Sequence, residues 1–436
     1  MTGQKVMNRW LVVAGGILVQ ICLGAIYAWS AFTGKLTAEP FKFTKTETQI
    51  IFSLGLLSFA VVMALVAGKW QKKVGPRIVA ITGGLVLGAG YVLAGFAGTS
   101  FWGILVGVGL LGGAGIGLGY VCPIAALVKW FPDKKGLITG LAVAGFGFGA
   151  LIWVKLTSGF KFGPLDLTPG WKGLYGMEWT VNNVFILYGV IFAALVVVGS
   201  LVMVDPPDGW KPAGWNPPTG AAAASTGGID FTASQMARTP QYWILFLTFL
   251  VGAAAGLMVI GIIQLFGMDA LVAGGVAKEK ATVIVGTAFG LFYALMNALG
   301  RIIWGILSDK MGRKKAIICM SALQGLMMIA FYFIGNNEIG LYFASALIGF
   351  NFGGNFALFP AATADYFGNK SVGTNYPWVF MSYGVGGVFG PILGGLMGDA
   401  KAWMWAFVPT GIACVVMALV ATRLSTPKAP TAPTGS

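Results

Sequence analysis

The stretch Gly305-Ile-Leu-Ser-Asp-Lys-Met-Gly-Arg-Lys314 has a second copy in the chain, Gly68-Lys-Trp-Gln-Lys-Lys-Val-Gly-Pro-Arg77, which stands 237 residues earlier. Each copy follows a long apolar segment and combines glycine with several cations. At the same spacing, Pro123 in one apolar segment corresponds to Pro360 in another. Self-similarity at one fixed offset predicts two halves of the same architecture.

Composition identifies those halves as membrane-embedded. Of the 436 residues, 57% are hydrophobic and only 10% are charged, whereas soluble domains carry about 25% charged residues. A membrane-spanning helix needs about 20 apolar residues, and twelve such segments occur. The first is too long for a signal-peptide core. The predicted spans are 10–32, 49–68, 78–98, 102–128, 137–158, 183–204, 241–266, 282–307, 315–335, 338–362, 374–397 and 400–422. The predicted fold class is therefore an all-α membrane protein with twelve transmembrane helices in two six-helix halves.

The longest loop divides the predicted spans six and six. It contains Asp205-Pro-Pro-Asp-Gly209 and an Ala/Ser/Thr/Gly-rich run at 219–229, a composition typical of a flexible linker. The predicted domains are an N-terminal half at 1–204, a cytoplasmic linker at 205–240, a C-terminal half at 241–423 and a disordered tail at 424–436.

The distribution of cations predicts the orientation. With both termini in the cytoplasm, eighteen of the 28 Lys and Arg residues face the cytoplasm, nine face outward and Arg301 lies inside a span. Cytoplasmic loops of membrane proteins carry this excess of Lys and Arg. The net charge of +14 is thus explained without nucleic acid, and the bacterial cytoplasmic (inner) membrane is the predicted location.

Several classes of function are disfavoured by missing side chains. The chain has no histidine, and its four cysteines lie in apolar segments without CxxC spacing. Neither a metal site, a cofactor site nor a catalytic pair is indicated, so we expect no enzyme. A transporter-like sensor without flux remains an alternative, although it would be expected to carry a longer cytoplasmic domain.

The pattern Gly305-x-x-x-Asp309-Lys-x-Gly312-Arg313-Lys314 resembles the loop signature of the major facilitator superfamily. The resemblance implies the major facilitator fold and gating loops; the residues assigned to these loops are Gly68, Gly75, Arg77, Gly305, Asp309, Gly312 and Arg313. The first copy departs from the signature, because Lys72 stands where the family has Asp. The alternative is that both loops only supply cytoplasmic positive charge.

Arg301 is the one charged residue predicted at membrane depth, because all 14 acids lie in loops or at span ends. It precedes Asp309 by eight residues, or about 12 Å along a helix. An unpaired arginine at that depth costs at least ~2.5–3.5 kcal/mol. The side chain could snorkel, bind helix-end carbonyls and water, or await an anion in a wet cavity; we favour the anion. Asn297, one turn earlier, is predicted to bind the ligand, to orient the guanidinium or to bond a neighbouring helix.

Aromatic residues at comparable depth are predicted to wall a small amphipathic cavity with Arg301. The predicted wall comprises Tyr27, Trp29, Tyr120, Phe146, Phe352, Phe356, Phe380 and Tyr383. Taken singly, each residue is better explained as lipid-facing or as core packing.

Several segments narrow the resemblance to the oxalate/formate antiporter family, close to monocarboxylate transporters. They are Asn8-Arg-Trp10, Tyr27-Ala-Trp29, Gly113-Ala-Gly-Ile-Gly-Leu-Gly-Tyr120, Trp130-Phe-Pro-Asp-Lys-Lys-Gly136, Arg238-Thr-Pro-Gln-Tyr-Trp243, Arg301-x-x-Trp304-Gly305 and Ala357-Leu-Phe-Pro360. The resemblance implies that Arg301 is the substrate arginine and that Tyr120 is a cavity tyrosine. This chain has Tyr383 where the family's oxalate exchangers have a second cation, a lysine, and Ile26 where they have a cavity glutamine.

One cation suits one carboxylate, since a dianion would keep an uncompensated charge at low dielectric. We therefore expect a monomeric secondary transporter in the lipid bilayer that moves lactate, pyruvate or formate by alternating access, with protons as the expected coupling ion. The alternatives are an oxalate/formate-type anion exchanger and a facilitator for uncharged or cationic compounds. Repulsion by Arg301 disfavours cations.

Overall fold

The computed structural model describes residues 7–131, 135–159, 172–207, 210–212, 214, 231–368 and 372–427. Within these ranges the chain is helical, without β-strands, and 12 helices are long and apolar enough to cross a membrane. They are α1 (Arg9–Leu36), α2 (Lys45–Gln71), α3 (Pro76–Phe96), α4 (Phe101–Leu127), α5 (Lys135–Ser158), α6 (Val181–Ser200), α7 (Pro240–Ala273), α8 (Lys278–Met311), α9 (Arg313–Ile334), α10 (Glu338–Phe367), α11 (Val372–Asp399) and α12 (Trp403–Ala421). The predicted fold class is confirmed.

Several helices extend beyond the predicted spans because polar capping residues, rather than the apolar run, fix their ends. Thr44 and Glu47 form a capping box that starts α2 at Lys45, four residues before the predicted limit. The Thr239 side chain accepts a hydrogen bond from the Tyr242 amide at the start of α7. α7 and α8 each reach 34 residues, so they project beyond a hydrocarbon core about 30 Å thick.

Irregular turns interrupt four of the helices. A tight 3₁₀ segment occupies Gly24–Trp29 in α1, and wide π turns occupy Met63–Ala67, Leu105–Gly112 and Ala288–Tyr293. Wide turns of this kind are frequent at functional sites. The segment in α1 contains Tyr27, the wide turn in α4 precedes Tyr120, and the wide turn in α8 precedes Arg301. Three of the four irregular turns therefore lie in helices that carry residues of the predicted cavity.

The repeated motif adopts the same turn in both halves. α3 begins directly after Gly75, which has φ 81°, and α9 begins directly after Gly312, which has φ 88°. Only glycine adopts this left-handed region without strain. The repeated prolines Pro123 and Pro360 both lie inside helices. The structure thus reproduces the internal repeat, and the end of the bundle that carries Gly75 and Gly312 is called the motif end.

The two halves meet along pairs of helices. α2 packs along α11, α5 packs along α8, and the final turns of α1 (Ser30–Leu36) pack against α7. A single hydrophobic core runs through both halves, from Tyr27 in α1 to Tyr383 in α11. The centre of this shared core is where the predicted site residues lie.

A hydrogen-bonded network joins the halves at the opposite end of the bundle. Lys45 Nζ lies 2.7 Å from Asp269 Oδ2, and Trp403 Nε1 donates to the same oxygen at 3.1 Å. The Asp399 carboxylate accepts the backbone amides of Lys45 at 2.9 Å and Thr46 at 3.0 Å. Asp399 therefore caps α2 from the other half of the molecule.

At the motif end, the described ion pairs lie within single halves. Arg313 pairs with Asp309 at 2.7 Å and with Asp365 at 2.8 Å, all in the C-terminal half. Lys129 pairs with Asp205 in the N-terminal half. Among the described residues, the ion pair and carboxylate hydrogen bonds that join the two halves at one end of the bundle lie at the opposite end.

Part of the predicted linker packs on the C-terminal half. A short helix at Ala233–Ala237 precedes α7. The Phe231 amide donates to the Phe367 carbonyl at 3.0 Å, and Asn375 Nδ2 donates to the Phe231 carbonyl at 2.8 Å. The whole Ala/Ser/Thr/Gly-rich run at 219–229 and residues 428–436 of the predicted tail lie outside the described residues.

Candidate functional site

Arg301 lies in α8 with 1% of its surface exposed. It is the only charged side chain among the buried residues that the structure describes. No ion pair joins Arg301 to any carboxylate of the described residues, whether buried or exposed. A buried charge without a counterion has to find its stabilisation in neutral groups.

Two of the three guanidinium nitrogens have neutral partners. Arg301 Nη1 donates to the Val143 carbonyl in α5 at 2.8 Å, and Nε donates to Asn297 Oδ1 at 3.1 Å. Nη2 is buried without a hydrogen-bond partner. The Cζ atom lies 4.1 Å from the centre of the Phe356 ring, a cation–π distance. The side chain therefore does not snorkel; it combines a helix-carbonyl contact with one nitrogen, Nη2, that has no acceptor.

Glycines let three helices approach each other around Arg301. A Cβ at Gly353 in α10 would lie 2.0 Å from the Asn297 carbonyl oxygen, and a Cβ at Gly147 in α5 would lie 3.2 Å from both Ala298 and the Asn297 Oδ1 atom. Any larger residue at Gly353 would push α10 away from α8. These approaches bring the Val143 carbonyl within reach of the arginine.

The predicted aromatic wall forms around this arginine, apart from Trp29. Tyr27, Tyr120, Phe146, Phe352, Phe356, Phe380 and Tyr383 are all buried. Contacts between ring centres include Tyr27–Phe146 at 5.0 Å, Tyr120–Phe146 at 5.3 Å, Phe352–Phe356 at 5.3 Å, Phe356–Tyr383 at 5.6 Å and Phe380–Tyr383 at 4.7 Å. The wall draws on α1, α4, α5, α10 and α11, so both halves contribute to it.

Tyrosine hydroxyls supply further polar groups. Tyr27 and Tyr383 share a hydrogen bond of 3.0 Å between their hydroxyl oxygens, which joins the two halves. The Tyr27 and Tyr120 hydroxyls lie near the Arg301 guanidinium. The site therefore offers one cation, hydroxyls and aromatic faces.

Trp29 lies apart from this cluster. Its indole nitrogen donates to the Thr48 carbonyl in α2 at 3.0 Å, and its ring centre lies 6.0 Å from that of Phe32. The tryptophan joins α1 to α2, whereas Tyr27, two residues earlier, faces Arg301.

Several members of the site were not predicted from the sequence. Phe59 of α2 lies 5.0 Å from Tyr120 and 5.3 Å from Phe380, measured between ring centres. Tyr293 Oη donates to the Gly256 carbonyl at 2.9 Å. Membrane depth could have indicated Phe59, as it did the other aromatics. The Val143 carbonyl has no sequence signal, because every residue carries one.

Of the predicted gating residues, Asp309, Gly312 and Arg313 meet at the motif end, where Arg313 also donates to Ser308. In the other half, Gly75 forms the equivalent turn, and the Arg77 Nε atom is buried without a hydrogen-bond partner. Gly68 and Gly305 lie within the helical ends that precede these turns. The Lys72 side chain lies outside the described part of the chain.

No cluster of three or more Cys, Asp or Glu side chains that could hold a metal ion occurs among the described residues. Twelve spanning helices in two repeated halves, with a buried polar site between the halves, define a membrane transporter. The model of the Major Facilitator Superfamily matches residues 10–292 and 279–436. The chain belongs to this superfamily.

Individual relatives support the assignment. The chain is 32% identical to the MFS-type transporter YhjX of Escherichia coli (strain K12) over 385 residues, which cover 87% of this chain and 86% of that protein. It is 26% identical to the oxalate:formate antiporter of Oxalobacter formigenes, over 95% of this chain and 91% of that protein. It is also 26% identical to apicoplast pyruvate carrier 1 of Toxoplasma gondii, over 87% and 82%.

The fold matches solved structures as well. A bacterial homologue of the human lysosomal transporter Spinster, solved in an inward-facing and unoccupied conformation, superposes with a TM-score of 0.64. The match covers 96% of both chains at 17% sequence identity, so it supports the fold and not a shared function.

Proposed function

We propose that this transporter carries small monocarboxylates of the lactate, pyruvate or formate type across the bacterial cytoplasmic membrane by alternating access. Both termini and the motif end would face the cytoplasm, as the cation distribution predicts. The observation that carries the proposal is Arg301, a buried guanidinium that has no carboxylate partner among the described residues and whose Nη2 atom has no acceptor there. The names of the antiporter and pyruvate-carrier relatives favour a small carboxylate.

The charge of the site favours a monoanion. Arg301 is the single buried cation among the described side chains, and Tyr383 presents a hydroxyl rather than a second cation. A monocarboxylate would neutralise the site, whereas a dianion would leave one negative charge in aromatic surroundings. The rings of Phe352 and Phe356 suit a short hydrocarbon tail.

The hydrogen bond from Arg301 to Val143 suggests how binding drives movement. It joins α8 of the C-terminal half to α5 of the N-terminal half. A carboxylate binds guanidinium best through two parallel hydrogen bonds from neighbouring nitrogens, and here the nitrogens beside Nη2 already have acceptors. Nη1 carries two N–H groups, so a substrate on Nη1 and Nη2 displaces the Val143 carbonyl when it takes the N–H that bonds this carbonyl, and it then removes a contact between the halves. Binding is thereby linked to the equilibrium between conformations.

Proton coupling requires a carrier. Because Arg301 is the only buried charged group in the described part, we propose that the proton travels with the substrate carboxylate, or on water or a tyrosine beside Arg301. Exchange of one anion for another is the second candidate, favoured by the similarity to an oxalate:formate antiporter over 95% of this chain. Uptake that follows an imposed pH gradient supports symport, whereas uptake that needs internal anion and ignores that gradient supports exchange.

The decisive experiment is uptake of labelled lactate and pyruvate by proteoliposomes that contain the full chain. We expect Arg301→Ala to abolish saturable uptake, and Arg301→Lys to lower it strongly, because an ammonium lacks the planar pair of donors. Arg423→Ala is the matched control, since Arg423 is exposed just after the end of α12, and it should transport normally. Normal uptake by Arg301→Lys and Arg301→Ala would overturn the site.

A further inference from the structure

The side-chain amide of Asn297 has an orientation that chemistry fixes. Arg301 Nε can only donate, so the atom of Asn297 that lies 3.1 Å from it must be the acceptor Oδ1. The Nδ2 donor therefore points elsewhere. It is buried and has no hydrogen-bond partner, and 1% of the residue is exposed.

Two unoccupied donors thus belong to one turn of α8. Arg301 Nη2 and Asn297 Nδ2 are both buried without partners, and the bond from Nε to Oδ1 ties their side chains together. Close packing confines this unit. Gly353 lies against the Asn297 backbone, and Gly147 lies against the amide. A buried donor without an acceptor is unfavourable, which indicates that a ligand supplies the acceptors.

The two donors differ in charge, and this difference indicates the ligand. The charged Nη2 suits a carboxylate oxygen, whereas the neutral Nδ2 suits a carbonyl or hydroxyl oxygen. A monocarboxylate with an oxygen on its second carbon carries both acceptors side by side. Acetate and propionate carry the carboxylate alone.

We propose that Asn297 is a specificity-determining residue that selects 2-oxo and 2-hydroxy monocarboxylates over simple carboxylates. This inference rests on the proposed function of Arg301. The carboxylate accepts from Arg301 Nη2, the oxygen on the second carbon accepts from Asn297 Nδ2, and the methyl group packs on the aromatic wall. Arg301 supplies affinity for the anion, and Asn297 supplies the preference among anions.

The test is competition against uptake of labelled pyruvate by proteoliposomes of the full chain, with unlabelled pyruvate, lactate and propionate. Propionate matches lactate in carbon number and lacks only the oxygen on the second carbon. We expect the wild type to prefer pyruvate and lactate by about tenfold, the order of one well-made hydrogen bond. Asn297→Leu, which is similar in size but has no donor, should bring the preference close to unity, because pyruvate and lactate lose a contact to Nδ2 that propionate does not make.

Two further variants complete the test. If Asn297→Leu fails to fold, Asn297→Ser takes its place in the test. Its hydroxyl is too short to replace the amide, so the preference for pyruvate and lactate should again fall close to unity. Asn355→Leu removes another buried amide, whose Nδ2 donates to the Phe352 carbonyl, and should keep the tenfold preference.

The outcomes separate this inference from the proposed function. If the wild type shows no preference for pyruvate over propionate, or if Asn297→Leu weakens both equally, the role of Asn297 is overturned while Arg301 retains its own. If Arg301→Ala transports normally, the proposed function fails, and the inference fails with it.

Discussion

Replacement of Asp399 by alanine should shift the transporter toward a state that is open at the end opposite the motif end. Asp399, at the end of α11, accepts the backbone amides of Lys45 and Thr46 at 2.9 and 3.0 Å. These amides belong to the first turn of α2, where helical amides lack partners within the helix. The contact exists only while the two halves are closed at this end, so its loss penalises the closed state alone.

The size of the effect follows from the geometry. Loss of a capping side chain costs about 0.5–2 kcal/mol, and a carboxylate near a helix N-terminus contributes about 0.3–1 kcal/mol more through the helix dipole. Because Asp399 is exposed, water can hydrogen-bond the freed amides of α2 and recover part of the lost stabilisation. The net penalty on the closed state should therefore be about 1–2 kcal/mol. The ratio of open to closed molecules should therefore rise by about 5- to 30-fold.

Cysteine labelling measures this ratio. Gln49 in α2 is buried, and its Nε2 donates to the Gly261 carbonyl across the interface, so a cysteine at position 49 reports opening. Cys319 is exposed and would be replaced by serine, whereas the other cysteines are buried. A membrane-impermeant maleimide should react with Gln49→Cys about 5- to 30-fold faster in Asp399→Ala than with Asp399 intact.

A matched control uses the same end of the molecule. Glu39 pairs with Lys42 at 2.7 Å within one loop, with both side chains largely exposed. Glu39→Ala removes one carboxylate without touching the interface, and should leave the labelling rate unchanged. Equal labelling rates in Asp399→Ala and Glu39→Ala would refute the assignment of Asp399 as a contact that closes this end.

Three other substitutions test the site and the motif. Asn297→Asp places a carboxylate against the Nε atom of Arg301. Because this internal counterion competes with the substrate, the pyruvate concentration needed to raise the Tm in a thermal-shift titration should increase tenfold or more. An unchanged titration would contradict the role of Arg301. Tyr383→Lys adds a second cation beside Tyr27, and oxalate should then compete for uptake at least tenfold better than in the wild type; no gain would argue against charge matching. Gly312→Ala forces a side chain into the conformation with φ 88° and should destabilise the protein by about 1–2 kcal/mol, seen as a lower Tm. Gly34→Ala, which meets no atom within 4 Å, should not lower it.

Much of the architecture follows from local sequence. Apolar runs place all twelve spans because lipid leaves backbone groups no partner outside a helix. The turn after α2 and the turn after α8 could be matched because Gly75 and Gly312 occupy equivalent positions of the repeat. The convergence of aromatics on Arg301 was predictable from membrane depth, since residues at the same depth in a twelve-helix bundle have few places to lie.

Other features required the assembled fold. Helix ends depend on capping side chains such as Thr44 and Glu47, which an apolar window does not count. Trp29 and Tyr27 are two residues apart, but the helical turn between them sends one to Thr48 and the other toward Arg301. The Val143 carbonyl is an acceptor that no composition reveals; only the approach of α5 to α8 at Gly147 makes it a partner of the arginine.

The partner that Arg301 finds at Val143 is part of the main chain. Point mutation at that position changes the valine side chain and leaves the acceptor oxygen in place. Arg301 therefore keeps this hydrogen bond while residues of the surrounding wall, such as Phe352 and Tyr383, are exchanged. Such an arrangement allows new cargo preferences to evolve one substitution at a time, without an intermediate that strands the arginine.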